Sequence, residues 1–572
     1  MTFPRRALCL NLLSGALVLG LLGAAGPALA DAPAPTGTDR AKAVQLWETG
    51  GPGVKEGAEA ALVGGDDAVR AFLAQAANLS YQDDRVAVSR LYNTGGAALR
   101  EAVRNALKSD SPDRVRAFLK DGWKAPLEQD QRVQVSQIIN AGGPGVRKAG
   151  RAALDSGSPD KIRDFLTTGQ FEQRQQDERV QVAQLLKGAG ANVGAAAQIA
   201  MDGSAADVRQ FLQVGRYTAH AHDQERATIT RLDAQAARSG KAAAVAARAG
   251  KAPAAKKAAD AAGAAVTEAK KVHDLAVRTD AGKLAARTDE ALTRARALAA
   301  QADKLAAGEQ AAVQAAEALR TQADALAAQA AEPGADPAKI APEGRAVALA
   351  TAKTGRSQSR SAALAALSGS DTDITAYART GRADADARDD RADVEHLAET
   401  ASAPEVRAAA TRALQGDGTA VKAFLTEGRY EVVKQRLRVL VAQAATGAGP
   451  IEKAAVRRAL NADTAEALHR FLTTDGPLAR TQDERVHAAQ LLGSPGAELR
   501  AAARVALDGP DDLLRAFIAT GQFQARRQDQ LTATHTAQIQ QLITHATGIA
   551  ATARKDVASA AKTRPKPPVK RG

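Results

Sequence analysis

The sequence predicts an all-α protein: two α-solenoid blocks of three-helix repeats, 46 or 47 residues each, joined by an Ala-rich coiled-coil helical hairpin. Three observations lead there. Strand-forming runs are few, while Ala, Leu, Arg and Glu abound, which favours helix. A Phe or Tyr recurs at a near-constant period through two stretches of the chain. Between those stretches, residues 218–376 contain no aromatic residue at all.

The N-terminus comes first in order. Residues 1–30 read as a secretory signal peptide: Arg5 and Arg6 supply the positive start, Leu8 to Leu22 the apolar run, and Ala28-Leu29-Ala30 a small-residue cleavage site before Asp31. The apolar run is short for a membrane span, which needs about 20 residues. The expected mature chain is therefore secreted, either extracellular or cell-wall associated, with no transmembrane segment after signal cleavage. General secretion and twin-arginine export both remain open. The one cysteine, Cys9, falls in this segment, which excludes a disulfide framework, a Cys-based zinc site and a CxxC redox site.

The first block is expected over residues 31–223 and the second over 342–530. In the first, Phe72, Phe118, Phe165 and Phe211 are spaced by 46, 47 and 46 residues. In the second, Tyr377, Phe424, Phe471 and Phe517 are spaced by 47, 47 and 46. Each aromatic closes one unit. In the third unit, Gln129-Asp130-Gln131-Arg132-Val133 opens a helix that runs through Ile139, and Gly142-Gly143-Pro144 breaks it. A second helix follows from Val146 through Leu154. Ser158-Pro159-Asp160 then caps a third, Ile162 to Leu166, which Gly169 is expected to stop. Val133, Ile138, Val146, Ala149, Ala153 and Leu154 are expected to form buried stripes. One unit alone cannot bury its stripe, so stacking supplies the core.

The Gln-Asp-x-Arg motif recurs at Gln82, Gln176 and Gln482. Its Asp is expected to favour the positive end of a helix, and its Arg to pair with that Asp or with a neighbouring repeat. The unit matches the size of HEAT and armadillo repeats. Gly142–Arg147, Ala152–Leu154 and Arg116–Gly122 resemble the short ALF repeats of actinobacterial secreted proteins, over about 320 residues. That resemblance implies a secreted repeat scaffold and no established molecular function. Similar repeats precede toxin domains in large polymorphic toxins, a pattern this chain leaves because nothing of domain size follows its last repeat.

Residues 224–341 are expected to form the coiled coil. Leu292, Leu298, Leu305, Val313, Leu319 and Leu326 recur about every seven residues, as a seam would. A helical hairpin with the helix near 224–250 is favoured over a bare rod, and coiled-coil self-association is possible. Residues 531–560 read as a terminal helix that begins the coil pattern again, and 561–572 as a basic, Pro-rich, disordered tail. The chain thus reads as a tandem duplication of repeats plus coil.

Chemistry is sparse. Seventeen aromatic residues (10 Phe, 5 Tyr, 2 Trp) give 3% of the chain, which argues against the large aromatic core of many enzymes. The net charge of +13 falls to about +5 over the body once the signal and the basic tail are set aside, so no specific nucleic acid is expected. No phosphate loop and no nucleophile elbow is present. His220, His222 and Asp223 are the densest set of potential metal ligands, but helix residues two apart face different ways. His469 and His487 read as surface variation, His535 and His545 as lacking partners, and Trp47 and Trp123 as packing residues. No catalytic, cofactor-binding or metal residue is assigned, and no cofactor is expected. The reading is a non-enzymatic scaffold for an unidentified protein or cell-wall component. The alternatives are a structural stalk or carrier related to toxin N-terminal regions, and an enzyme with an unrecognised site.

Overall fold

The computed structural model describes residues 38–562. The expected signal peptide, with Arg5, Arg6 and Cys9, and nearly all of the basic tail lie outside these residues. Every regular element among the described residues is helical. None of these helices is long and apolar enough to cross a membrane.

The third repeat shows how the sequence builds one unit. Its first helix spans Lys124–Ala141 and ends at Gly142. The second spans Pro144–Asp155, with Pro at its start, where the missing N–H costs nothing. Ser158 caps the third, Pro159–Asp164, by accepting the N–H of Lys161. Six residues would not hold a helix alone; Ile162 and Phe165 anchor this one against Val135, Ile138, Val146 and Ala153.

The expected stop at Gly169 is not a stop. Phe165–Gly169 form a π-helical turn that carries the chain directly into the next long helix, Gln170–Leu186. Seven of the eight repeats have such a turn, each opening at the recurring aromatic residue. The ring lies over the fourth residue on. A Cβ at Gly122, Gly215, Gly428 or Gly521 would stand 2.9–3.4 Å from the Cδ2 of that ring. In the first repeat Ala76 holds this position, and helix Asp66–Thr94 passes Phe72 without a π turn.

One buried-stripe assignment also fails. Val133 is 52% exposed, while Val135 is fully buried. The helix faces its neighbours one step further round than the motif suggested. Ile138, Val146 and Ala153 are buried as expected.

The described residues form two compact units, each drawing on both blocks: 38–173 with 306–477, and 174–305 with 478–562. In the first unit, the opening repeats of both blocks share one core. Ala43, Trp47, Leu62 and Phe72 pack with Ala348, Ala352, Leu367 and Tyr377. Equivalent ion pairs, Arg40 with Asp66 and Arg345 with Asp371, brace the two halves. Later repeats form their own clusters around Phe118, Phe165 and Phe424.

In the second unit, the repeats around Phe211 and Phe517 continue into long helices, Arg216–Arg248 and Gln522–Lys562. A third helix, Ala252–Ala331, of which residues 252–305 belong to this unit, begins after a turn at Gly250, whose φ of +71° suits glycine. Its first part packs between them through Ala262, Ala265 and Ala269. Small side chains let the backbones approach: a Cβ on Gly240 would meet Ile549 at 2.6 Å. The heptad residues are not buried as one seam. Leu292 and Leu326 are buried, but Leu298, Leu305 and Val313 are 50–67% exposed.

Candidate functional site

The Asp of the charged motif is used structurally in at least five places, in a way its local sequence does not reveal. Asp83 lies mid-helix, not in a first turn. It accepts the backbone N–H groups of Gly53 and Val54, both at 2.8 Å. Asp130 does the same for Ala98 and Leu99, Asp223 for Asn192 and Val193, Asp389 for Gln358 and Ser359, and Asp529 for Glu498 and Leu499. Each carboxylate thus caps a helix about 30 residues earlier. The Arg two places on reaches forward to another helix end. Arg85, Arg179, Arg391 and Arg485 donate to the carbonyls of Leu107, Met201, Leu414 and Leu507. Helix Ala97–Lys108 is therefore held at its start by Asp130 and at its end by Arg85. Burial pushes the Asp389 carboxyl up, but its bonds with Ser359 and the backbone outweigh this and hold it below the usual range.

The residue after this Arg behaves differently. Val86, Val133, Val180, Val439 and Val486 occupy one register position in five repeats, and each is 48–55% exposed. Single exposed apolar residues are ordinary. A β-branched residue returning at the same exposed helical position is not explained by helix preference, which ranks Val below Ala, Leu, Lys and Glu.

The second unit also holds a polar cluster where its three long helices meet. Glu225 and His222 come from Arg216–Arg248, His273 and Asp280 from Ala252–Ala331, and His535 from Gln522–Lys562. One oxygen of Glu225 bonds His273 at 2.8 Å and the other bonds His535 at 2.9 Å. His222 bonds Asp280 at 2.7 Å and stacks on His535, with ring centroids 4.1 Å apart and 4° between planes. Burial pushes the Glu225 carboxyl up; the bonds from His535 and His273 more than offset this and hold it below the ordinary glutamate range. His535 thus has a partner, contrary to expectation, and so does His545, 2.8 Å from Asp233. No local pattern signals these pairs, because the bonded residues are 48 to 312 positions apart.

His220, His222 and Asp223 separate as the helix requires. His220 sits by Gln224, His222 turns inward, and Asp223 caps its repeat. No group of three or more His, Cys, Asp and Glu among the described residues is arranged to hold a metal ion. His469 stacks at a tilt on Tyr430, and His487 bonds Gln522. Trp47 is buried and donates to Glu59; Trp123 donates to the Leu119 carbonyl. Beside the His–Glu cluster lies a cavity of about 680 Å³, lined by both terminal repeats of this unit and by the long helices.

Six segments, residues 40–76, 85–126, 132–173, 179–219, 391–431 and 485–525, match the ALF family, described as short repeats of unknown function. The repeats around Tyr377 and Phe471 lie outside these matches but carry the same π turn. No curated protein matches the chain.

Proposed function

From the premise that these six segments belong to the ALF short-repeat family, we propose that the protein is a secreted, non-enzymatic scaffold whose half-exposed valines bind another protein or a cell-wall component. The observation that carries this reading is the contrast within one motif. Around Val86 and Val133 the Asp caps a helix start and the Arg donates to a carbonyl near a helix end, while the valine beside them is left uncovered, as Val180, Val439 and Val486 are at the same position. Apolar groups that meet a partner without charged competition are the usual energetic centre of an interface. In this reading residues 31–223 and 342–530 are the binding blocks, with 224–341 as the connecting coil. Leu298, Leu305 and Val313 then offer a seam for self-association. The signal-like residues 1–30 support export.

The test uses the mature chain, residues 31–572, and a triple variant, Val86→Asp, Val133→Asp and Val439→Asp. Both are offered isolated bacterial cell walls in one arm and a secreted-protein fraction in the other. Saturable binding by the mature chain that the variant loses, with unchanged helical circular dichroism, is the expected result. Equal binding by both would sink the valine reading. Saturable binding in neither arm would favour the stalk or carrier. Export is checked separately: the protein recovered from culture medium should begin at Asp31.

A further inference from the structure

The charged groups that line the cavity in the second unit differ in how well they are partnered. Its acidic groups have strong partners. Glu225 is held by two histidines and Asp280 by His222. Asp207 sits in a capping box with Ser204, Asp529 caps a helix, and Glu498 receives Arg287 at 3.0 Å. The cations that line the cavity are less fully partnered. Lys283 comes no nearer than 4.0 Å to Asp280, and Arg527 no nearer than 3.9 Å to Asp207. Arg287 uses one nitrogen on Glu498, and its buried Nε has no partner. Lys283, Arg287 and Arg527 therefore line a space whose carboxylates already have partners.

The rest of the lining is apolar. Phe211 and Phe517, the anchoring aromatics of the two repeats, both border it, with Ile199, Val277, Val505 and Leu531. A volume of about 680 Å³ is in the range of small-molecule sites, which are mostly apolar with a few placed polar groups. We propose that this cavity binds a small amphipathic carboxylate, its apolar body against Phe211 and Phe517 and its charge met by Arg287, Lys283 and Arg527. The site is separate from the valine positions and needs no catalysis: the ligand is held, not converted.

The experiment titrates the mature chain calorimetrically with dodecanoate below its micelle concentration, and with dodecyltrimethylammonium as the matched cation. The expected result is one dodecanoate per chain, with the cation bound at least about ten-fold more weakly, as loss of a charge-assisted bond implies. Lys283→Gln and Arg287→Gln should each weaken dodecanoate by about ten-fold. Lys283 keeps the test sound if Arg287→Gln disturbs folding, because Lys283 makes no hydrogen bond that the fold relies on. A control, Lys148→Gln, should change nothing. Absence of dodecanoate binding, equal binding of the cation, or dodecanoate affinity unchanged in Lys283→Gln would each overturn the proposal.

Discussion

The carboxylate of Asp130 holds the backbone of Leu99, 2.9 Å away and 31 residues earlier in the chain. It bonds the Ala98 N–H as well, so two of the unpaired donors at the start of helix Ala97–Lys108 are satisfied from the next repeat. A motif that looks local is a tie between consecutive units.

Removing that tie should destabilise the second repeat. Asp130→Ala is expected to cost about 1–2 kcal/mol, the value of a lost helix cap, and Asp130→Asn less, since one acceptor oxygen remains. Trp123 packs with the cluster that contains Leu99 and reports on it. Urea denaturation followed by Trp123 fluorescence, with Trp47 replaced by Phe, would measure the loss. An unchanged midpoint in Asp130→Ala would mean that the cap is not energetically important.

Phe118 is the anchor of the same repeat, buried with Val88, Leu99, Val103 and Val115. Phe118→Ala should cost about 3–5 kcal/mol through lost burial and the cavity left behind. The same fluorescence assay reads it. Retention of the wild-type transition would remove Phe118 from the core.

Two glycines of the π turns should respond with opposite sign. A Cβ at Gly122 would meet the Phe118 ring at 2.9 Å, whereas at Gly169 it would lie 3.7 Å from the Phe165 ring, an ordinary contact. Gly169→Ala is expected to raise stability by about 0.5–1 kcal/mol, because Ala loses less backbone freedom on folding. Gly122→Ala should lower it. Thermal melts of the two variants would settle the contrast, and equal shifts in the same direction would count against the ring-over-glycine geometry.

Acidification should loosen the three-helix junction. The Glu225 carboxyl is held below its ordinary value of 4.5, despite burial, by His535 and His273. A lowered folded-state value means that its stabilising contribution is present above the unfolded value and is lost as pH falls through the folded one. Thermal melting from pH 7 to pH 3 should therefore decline more steeply in the native chain than in Glu225→Gln, which starts less stable and lacks this titration. Parallel pH profiles would show that Glu225 contributes nothing of the kind.

Much of the architecture was legible because it is written locally. Gly142-Gly143-Pro144 and the Ser158 cap act within a few residues, and the helix break and the third helix start lie where these place them, whereas the first helix opens at Lys124 rather than at Gln129. The π turn is not legible because glycine after an aromatic usually signals a helix end; here the helix continues through the glycine, which makes room for the ring at Gly122, Gly428 and Gly521 but is not needed for that at Gly169. Val133 was misplaced because Val133 and Val135 are both apolar neighbours on one turn, and only packing selects Val135 for the core. The motif Asp and the cluster around Glu225 depend on partners roughly 30 to 310 residues away. Local periodicity carries no information about such pairs.

The most direct test of the proposed binding face is site-specific photo-cross-linking from the mature chain. Benzoylphenylalanine is placed singly at Val86, Val133 and the exposed control Lys148, and each chain is irradiated with the cell-wall or secreted-protein fraction that the native chain binds. The expected result is one discrete adduct shared by the Val86 and Val133 positions and missing at Lys148. Adducts of equal yield at all three positions, or none at Val86 and Val133, would contradict the assignment of the half-exposed valines as the contact surface.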